Sequence, residues 1–246
     1  MSERIRLDLA LEQRGLVPSR ARARDAILRG TVTINGVTAD KPNRMVGRED
    51  KLALSDPAAN YVSRAALKLV AGLEAGNIDP AGKTCIDVGA STGGFTQVLM
   101  EHGARRIYAV DVGHEQLHDR LKGSDRVVSM EGVNARDLTA EMIPEPIDLL
   151  VSDVSFVSVI KVLAAPLALC SAAADAVVLF KPQFEVGRRN VGKGGIVTDQ
   201  AAIDSALAEV IAFMAQHDFA HRQSVTSPIA GGDGNVETVL VFGRSR

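Results

Sequence analysis

The stretch that decides the fold is Cys85–Phe95, CIDVGASTGGF. Its first residues are apolar apart from Asp87, as in a buried strand, and glycines at positions 89, 93 and 94 follow. An apolar run that favours a helix begins at Phe95. Strand, tight loop and helix in this order are typical of α/β proteins, which bind ligands just outside the carboxyl end of such a strand. Residues 89–94, the glycine loop, are therefore the best candidate for a nucleotide-like cofactor site.

The spacing within the glycine loop narrows the choice of cofactor. The dinucleotide fingerprint G-x-G-x-x-G requires a glycine where this loop has Ser91, and the Gly-Lys-Ser/Thr ending of a P-loop is absent. A second acid, Asp111, ends the next apolar run, where a strand-end carboxylate can accept hydrogen bonds from ribose hydroxyls. Two acids around the loop favour a cofactor with an adenosine but no phosphate, such as the positively charged S-adenosylmethionine. A plain glycine turn in an α/β core is the alternative interpretation.

Composition and charge exclude several classes of protein. The chain has 246 residues, which is room for one large domain and a small one. Its formal net charge is -2, so any affinity for nucleic acid has to come from local basic patches. The absence of Trp and the scarcity of Tyr argue against binding through aromatic stacking platforms.

Metal binding and membrane insertion are not favoured either. Cys85 and Cys170 share no metal-ligand spacing, and His114 and His118, four residues apart, are more typical of a solvated helix face. The N-terminus lacks an apolar signal core. The longest apolar stretch, Val162–Ala174, contains a proline and is shorter than the roughly 20 residues that span a bilayer. We therefore expect a cytoplasmic protein without a metal.

Residues 4–50 form a candidate unit of their own. A short helix stops at Gly15, Ser19 caps a second helix that ends at Gly30, and Asn35-Gly36 predicts a tight hairpin. Residues 1–30 hold seven arginines and four acids, a local charge of +3 (7 − 4). Arginine forks suit phosphate oxygens, although a solvated helix face is the alternative interpretation.

The order of these features resembles the alpha-L RNA-binding motif, which is typified by the fourth small-subunit ribosomal protein. The matching features are RLD at 6–8, Gly-Leu ahead of Ser-Arg within 15–20, a helix ending in Arg-Gly at 29–30, and Val-x-Ile-Asn-Gly at 32–36. The resemblance implies docking on structured RNA through the second helix and the hairpin.

Beyond residue 60 the apolar runs predict an α/β sheet. A helix over 63–75 carries Arg64 and Lys68 on one ridge, where a solvated lysine is the alternative interpretation of Lys68. Asn134–Asp137 is in position to meet an adenine, although Asp137 could instead cap a helix that starts near Leu138. Strands are predicted at 107–111, 127–130, 147–152, 176–180, 219–226 and 237–242, with helices over 95–102 and 199–216 and a long helical region on either side of Pro166.

Residues 183–198, QFEVGRRNVGKGGIVT, differ from their surroundings in composition. They contain four glycines and the basic residues Arg188, Arg189 and Lys193. We interpret them as a mobile basic loop that could close over a nucleic-acid substrate.

Four charged residues lie at strand or helix positions that can converge on one cleft of a doubly wound sheet: Lys68, Asp153, Lys181 and Glu237. Asp153 and Lys181 follow predicted central strands, and Glu237 starts the last strand. A helix cap is the alternative interpretation of Asp153, and an ordinary strand-edge charge is that of Glu237.

The chain as a whole resembles the TlyA/hemolysin A family of rRNA 2'-O-methyltransferases, whose catalytic domain is similar to that of FtsJ-type ribose methyltransferases. The matching motifs are SRAALKL at 63–69, DVGASTGGFT at 87–96, SDVSF at 152–156, KPQFE at 181–185 and GNVETVL at 234–240. The resemblance implies methyl transfer from S-adenosylmethionine to a ribose 2'-hydroxyl of ribosomal RNA on a ribosomal subunit, with cytidine the usual target. It also implies that Lys68, Asp153, Lys181 and Glu237 form the catalytic set.

The predicted architecture is α/β. A Rossmann-like class I methyltransferase sheet with a terminal antiparallel hairpin covers residues 59–246, and a small α+β alpha-L RNA-binding domain with its linker covers residues 1–58. The predicted cofactor-binding residues are Asp87, Gly89, Ala90, Ser91, Thr92, Gly93, Gly94, Phe95, Asp111, Val112, Asn134 and Asp137. The predicted RNA-binding residues are Arg4, Arg6, Arg20, Arg22, Arg24, Arg29, Arg64, Arg188, Arg189 and Lys193.

The chemistry suits these residue types. A ribose hydroxyl becomes a good nucleophile only when a base within hydrogen-bond reach takes its proton, and Lys181 is the candidate base. A free lysine has a pKa of about 10.4 and must first lose its own proton. Burial and a neighbouring lysine favour that loss whereas neighbouring carboxylates oppose it, so the sequence leaves the balance open.

Three other functions compete with this hypothesis. A membrane-active toxin would need a spanning segment, a secretion signal or a cationic amphipathic helix, and the sequence offers none. A ribosome-binding protein without catalysis would not need the lysine–aspartate pair and the glycine loop. A base methyltransferase usually clamps its base between aromatic residues, of which SDVSF offers one. The target nucleotide, the choice of ribosomal subunit and the oligomeric state stay open.

Overall fold

A computed structural model describes residues 4–231 and 233–244, and the chain divides into two compact units, residues 1–60 and 61–246. In the first unit two helices and two small sheets enclose a core of its own, built around Leu7, Leu11, Ile27 and Val32. Its elements are β1 (Ile5–Arg6), α1 (Leu7–Gln13), α2 (Arg20–Leu28), β2 (Val32–Ile34), β3 (Val37–Thr38), β4 (Met45–Val46) and β5 (Leu52–Leu54). One sheet consists of β1 and β4 and the other of β3, β2 and β5.

The hairpin predicted at Asn35-Gly36 is confirmed. Ile34 pairs with Val37 across a two-residue turn. Asn35 and Gly36 have φ angles of 53° and 82°, so both lie in the left-handed region that such a turn requires. Strand β5 completes the sheet on the other side of β2.

A buried carboxylate anchors α1. Asp8 is fully buried and accepts hydrogen bonds from Arg6 at 2.9 and 3.0 Å and from Arg20 Nε at 3.0 Å. The hydrogen bonds from Arg6, against the opposing effect of burial, lower the pKa of Asp8 from 3.8 to about 2. The RLD motif therefore has a structural role in tying α1 to α2.

The second unit carries the large sheet. Its elements are α3 (Ala66–Gly76), β6 (Thr84–Val88), α4 (Gly94–Glu101), β7 (Arg106–Asp111), α5 (Asp119–Lys122), β8 (Val127–Glu131), β9 (Ile147–Ser152), α6 (Ala164–Ala168), β10 (Cys170–Phe180), α7 (Pro182–Glu185), α8 (Gln200–Gln216), β11 (Phe219–Thr226) and β12 (Thr238–Arg244). The strand order is β11-β12-β10-β9-β6-β7-β8. Strand β12 runs antiparallel to both β10 and β11, and the pairs from β10 to β8 are parallel, which confirms the predicted α/β sheet with a terminal antiparallel hairpin.

The sheet order reverses between β6 and β9. From β6 the chain proceeds through β7 to β8 on one side and then returns to place β9 on the other side of β6. Ligands of open α/β sheets bind at such a reversal, outside the carboxyl ends of the strands. Two separate hydrophobic clusters, one built around Ile86 and Leu150 and one around Cys85 and Leu149, cover the central strands from both faces.

Several predicted elements differ in the structure. The long helical region around Pro166 shrinks to the five residues of α6, and β10 already begins at Cys170, which pairs with Ile147 of β9. Cys170 and Asp175 pair with β9 on either side of an irregular stretch, residues 171–174, whose alanines are held extended despite their helix propensity. No helix starts near Leu138, since Asp137 ends a single 3₁₀ turn.

Smaller shifts affect three predicted positions. Helix α3 begins at Ala66, so Arg64 precedes it and shares no helical ridge with Lys68. His118 caps the short α5, so it does not lie on a helix face. The predicted basic loop contains α7 and two 3₁₀ turns, and from here residues 187–198 are called the basic segment.

The Asp8 anchor yields a stability prediction. Asp8→Asn removes charge-assisted hydrogen bonds, so we expect it to lower the free energy of unfolding of the first unit by about 1–3 kcal/mol at neutral pH. Because the folded-state pKa is depressed, this advantage of the wild type is complete above about pH 4 and is lost as the pH falls towards 2. Hydrogen exchange of the α1 amides measures it.

The control is Asp40→Asn, an exposed carboxylate of the same unit, which should change stability by less than about 0.5 kcal/mol. Equal effects of the two substitutions would contradict the anchoring role of Asp8.

Candidate active site

Four charged side chains that are far apart in the sequence meet in one cluster. Lys181 Nζ lies 2.6 Å from Asp153 Oδ1. Lys68 Nζ lies 2.5 Å from Glu237 Oε2 and 3.6 Å from Asp153 Oδ2. Asp153 therefore bridges two lysines and Lys68 bridges two carboxylates. We call these four residues the charged cluster.

The strand register explains why three of them meet. Ser152 of β9 pairs with Val178 of β10, so Asp153 leaves the sheet beside the end of β10. Phe180 pairs with Thr238, because β12 runs antiparallel to β10. Lys181, which follows β10, and Glu237, which precedes β12, therefore reach the same edge as Asp153. Helix α3 supplies Lys68.

The burial of these side chains argues against the alternative interpretations of Lys68 and Glu237. Lys68 and Lys181 are each 6% exposed and Glu237 is 2% exposed, so Lys68 is not a solvated lysine and Glu237 is not an ordinary strand-edge charge. The next helical turn begins at Val159 after Ser158, so Asp153 caps no helix. Two positive and two negative formal charges cancel within the cluster. Removal of one partner from a buried pair leaves an uncompensated charge, which typically costs about 3–5 kcal/mol.

Two further residues contact Lys181 that the sequence reasoning did not assign. Lys181 Nζ donates a hydrogen bond to Ser155 Oγ at 2.7 Å. It also lies 6.0 Å from the ring centroid of Phe184, at the outer range of a cation–π contact. Both residues belong to motifs quoted above, SDVSF and KPQFE. Their membership of these motifs is the sequence feature that could have identified them.

The glycine loop lies against the segment that carries Asp153. Gly89 has a φ of +86°, and a Cβ at this position would lie 3.1 Å from Val154 Cγ1 and 3.2 Å from the Asp153 carbonyl oxygen. Gly93 has a φ of +95°, and a Cβ there would collide with Leu117 and Leu121. Only glycine meets both the backbone conformation and the close approach.

Asp111 closes the loop from the neighbouring strand. Its Oδ2 accepts a hydrogen bond from the Ser91 amide at 2.8 Å, and its Oδ1 accepts one from the Gly113 amide at 2.7 Å. A carboxylate oxygen can accept more than one hydrogen bond, so Asp111 retains acceptor capacity towards the cleft.

Asp87 lies beneath the loop and lines neither cleft. It is fully buried, its Oδ2 accepts a hydrogen bond from Thr96 Oγ1 at 2.7 Å, and its Oδ1 has no hydrogen-bond partner. Burial raises the pKa of Asp87 to about 7, with a smaller contribution from the charge of Asp153. Asp87 therefore supports the loop from beneath and is not exposed to either cleft.

Two clefts adjoin at this edge of the sheet and share Gly89, Ser91, Asp153 and Ser155. The smaller, of about 210 Å³, reaches Lys181, and the larger, of about 620 Å³, extends along Asp111. Of the predicted cofactor-binding residues, Gly89, Ala90, Ser91, Thr92, Gly94, Phe95, Asp111, Val112 and Asn134 line one or both clefts, whereas Asp87, Gly93 and Asp137 do not.

Several arginines predicted to bind RNA have intramolecular partners. Arg6 and Arg20 pair with Asp8, as described above. Arg29 contacts both Asp25 and Asp56 with a side chain only 17% exposed, so its role is structural. Arg22 donates to a main-chain carbonyl of its own unit. Arg4, Arg24, Arg188, Arg189 and Lys193 are exposed.

Glu185 is a partly buried residue to which the sequence analysis assigned no role of its own. It accepts hydrogen bonds from Ser158 Oγ at 2.6 Å and from the Val159 amide at 2.9 Å. Burial raises the pKa of Glu185. It ties α7 to the segment that follows Asp153, and such a long-range contact leaves no local signal in the sequence.

The structure describes residues 4–231 and 233–244. Within that part of the chain, no group of three or more His, Cys, Asp or Glu side chains is arranged to hold a metal ion. Nor does any helix there combine the length and the apolar character needed to cross a membrane.

Comparison with known proteins assigns both units to families. The FtsJ-like methyltransferase family matches residues 61–244, and the S4 domain family matches residues 5–52. The 16S/23S rRNA (cytidine-2'-O)-methyltransferase TlyA of Mycobacterium tuberculosis is 46% identical over 98% of this chain and 90% of its own length. Hemolysin A of Brachyspira hyodysenteriae is 38% identical over 97% of this chain and 99% of its own length.

A solved structure agrees with these matches. A protein of Streptococcus thermophilus, provisionally named a hemolysin, superposes with a TM-score of 0.76 at 35% identity, covering all of this chain and 90% of the other. The family match spans the glycine loop and all four residues of the charged cluster. The chain therefore belongs to the FtsJ-like methyltransferase family, with an S4 domain ahead of the catalytic domain, in the group that contains TlyA and hemolysin A.

Proposed function

We propose that this methyltransferase transfers a methyl group from S-adenosylmethionine to a ribose 2'-hydroxyl of ribosomal RNA, with cytidine as the nucleoside. The observation that carries the proposal is the buried charged cluster, which places a lysine amine at the wall of a cleft beside the glycine loop. The similarity to an enzyme named for cytidine-2'-O methylation of rRNA supports the choice of substrate.

The residues around the clefts fit this cofactor. Asp111 and Asp153 line the clefts and Asp87 lies beneath the glycine loop. Carboxylates at the cleft walls suit the positively charged sulfonium and amino groups. We assign the adenosine to Asp111, Val112 and Asn134 and the remainder to the glycine loop. S-Adenosylmethionine, when bound, supplies an electrophilic methyl group on a positively charged sulfur.

Within the charged cluster we assign the proton transfer to Lys181. Its ammonium group first releases a proton to solvent, and the neutral amine then holds the ribose hydroxyl and takes its proton as the oxygen becomes a nucleophile. Asp153, 2.6 Å away, and Ser155 orient the amine. Lys68, held between Glu237 and Asp153, fixes the position of Asp153. Most of the rate enhancement then comes from holding the reacting groups in place.

The RNA is assigned to basic residues of both units. The first unit matches the S4 domain family and resembles the alpha-L RNA-binding motif. Arg4 and Arg24 are exposed in this unit. In the second unit the basic segment presents Arg188, Arg189 and Lys193 to solvent. One guanidinium group can bind two phosphate oxygens at once, and a lysine ammonium group also binds phosphate. These residues therefore suit an RNA backbone.

A lysine substitution tests the assigned chemistry. Lys181→Ala removes the proposed base, so we expect methyl transfer to ribosomal RNA to fall by a factor of about 10²–10⁴ while RNA affinity stays nearly unchanged. The measurement is single-turnover transfer of labelled methyl groups, with RNA binding measured in parallel.

Lys161→Ala is the matched control, since Lys161 is exposed and lines neither cleft; it should retain wild-type transfer. If Lys181→Ala lost RNA binding and transfer to the same extent, its assignment as the base would be wrong.

A glycine substitution tests the cofactor site. Gly89→Ala places a Cβ against Val154 and the Asp153 carbonyl in addition to its backbone strain, so we expect the Kd for S-adenosylmethionine to rise at least about tenfold. Gly82→Ala has a similar φ, +72°, with no atom within 4 Å of the added Cβ. It should cost stability without changing the Kd by more than about twofold. Isothermal titration calorimetry compares the two, and an unchanged Kd for Gly89→Ala would place the cofactor elsewhere.

A further inference from the structure

The side chain of Asn235 is buried, and both of its polar atoms form hydrogen bonds with the basic segment. It is 4% exposed. Its Oδ1 accepts a hydrogen bond from the Val197 amide at 2.9 Å, and its Nδ2 donates one to the Gly195 carbonyl at 2.8 Å. The amide thus satisfies a main-chain donor and a main-chain acceptor two residues apart.

These two hydrogen bonds hold Gly195 and Val197, at the second half of a tight turn. The Gly192 amide donates to the Ile196 carbonyl at 2.9 Å, which closes the turn over Lys193. Gly194 and Gly195 have φ angles of +76° and +83°, a conformation that other residues rarely adopt. Arg188, Arg189 and Lys193 are exposed on the segment that this turn completes.

Asn235 also lies two residues before Glu237 of the charged cluster. The main chain around Glu237 is held without the Asn235 side chain: the Gly231 amide donates to the Asn235 carbonyl at 3.0 Å, and the Ser227 amide donates to the Glu237 carbonyl at 2.9 Å. Loss of the side-chain amide should therefore release the basic segment but leave Glu237 in place.

We propose that Asn235 is a positioning residue for RNA: it fixes the basic segment relative to the charged cluster, so that Arg188, Arg189 and Lys193 meet the phosphates of the bound strand. The inference rests on the proposed function for the identity of that strand. The proposed role requires a side-chain amide. Aspartate lacks the donor and alanine lacks both groups, so neither can bond to both Gly195 and Val197.

The test is a binding cycle on ribosomal RNA extracted from cells that lack this protein. It compares the wild type, Asn235→Ala, the triple variant Arg188→Ala/Arg189→Ala/Lys193→Ala, and the variant that combines all four changes. We expect Asn235→Ala to weaken binding about tenfold and to reduce the slope of log K against log[salt] by about 2. In the triple-variant background Asn235→Ala should change affinity by less than about twofold, because the contacts it positions are already gone.

Three readouts separate positioning from a merely structural role. In Asn235→Ala the Kd for S-adenosylmethionine and the kcat at saturating RNA should stay within about twofold of the wild type, whereas the KM for RNA rises. Gln200→Ala, an exposed amide bonded to Asp204 on α8, is the control and should change none of them. If Asn235→Ala does not fold, Asn235→Asp, which retains the acceptor for the Val197 amide, takes its place in the same cycle.

The inference is overturned if the two losses of RNA affinity add in the combined variant, or if the salt slope is unchanged. It is also overturned if kcat and cofactor affinity fall with RNA affinity. Its failure is distinguishable from failure of the proposed function. A non-additive cycle with no methyl transfer by the wild type would remove the proposed function alone, whereas transfer with an additive cycle would remove this inference alone.

Discussion

The arrangement of the second unit depends on four charges that only one another can neutralise. Lys68, Asp153, Lys181 and Glu237 are largely out of water, and Asp153 and Lys68 each bridge two opposite charges. Well-packed apolar residues in their place would often be as stable or more stable. A sheet that brings the ends of β9, β10 and β12 together around such a cluster is therefore better explained by chemistry than by stability.

The cofactor site follows from the same edge of the sheet. The order of strands reverses between β6 and β9, so the segments after these two strands face each other across a cleft. Gly89 lets them approach to van der Waals contact, which brings the glycine loop next to Asp153. Asp153 thus belongs both to the clefts proposed for the cofactor and to the charged cluster, so the proposed binding site and the proposed catalytic residues are adjacent.

Local signals predicted much of this, and long-range contacts account for the rest. The apolar run of β9 and the Asp199 cap of α8 match the sequence-based elements, because the burial of a strand and the capping of a helix depend on residues that are neighbours in the sequence. The first half of β10 was missed, because its small residues favour a helix and are held in the strand by long-range pairs at their two ends, Cys170 with Ile147 and Asp175 with Leu149. Arg29 was predicted to bind RNA, because charge counting does not reveal its ion pair with Asp56, 27 residues away, although its other partner, Asp25, lies only four residues earlier. Glu185 and Asn235 lie within the motifs KPQFE and GNVETVL, but the distant groups that they contact could not be predicted from these motifs.

The most direct measurement supplies labelled S-adenosylmethionine and the purified protein to small and large ribosomal subunits from cells that lack it, and then maps the label within the RNA. The account predicts label on the 2'-oxygen of a cytidine ribose. Label on a base atom would contradict the assigned chemistry. The absence of label on both subunits, with cofactor binding demonstrated, would contradict ribosomal RNA as the substrate.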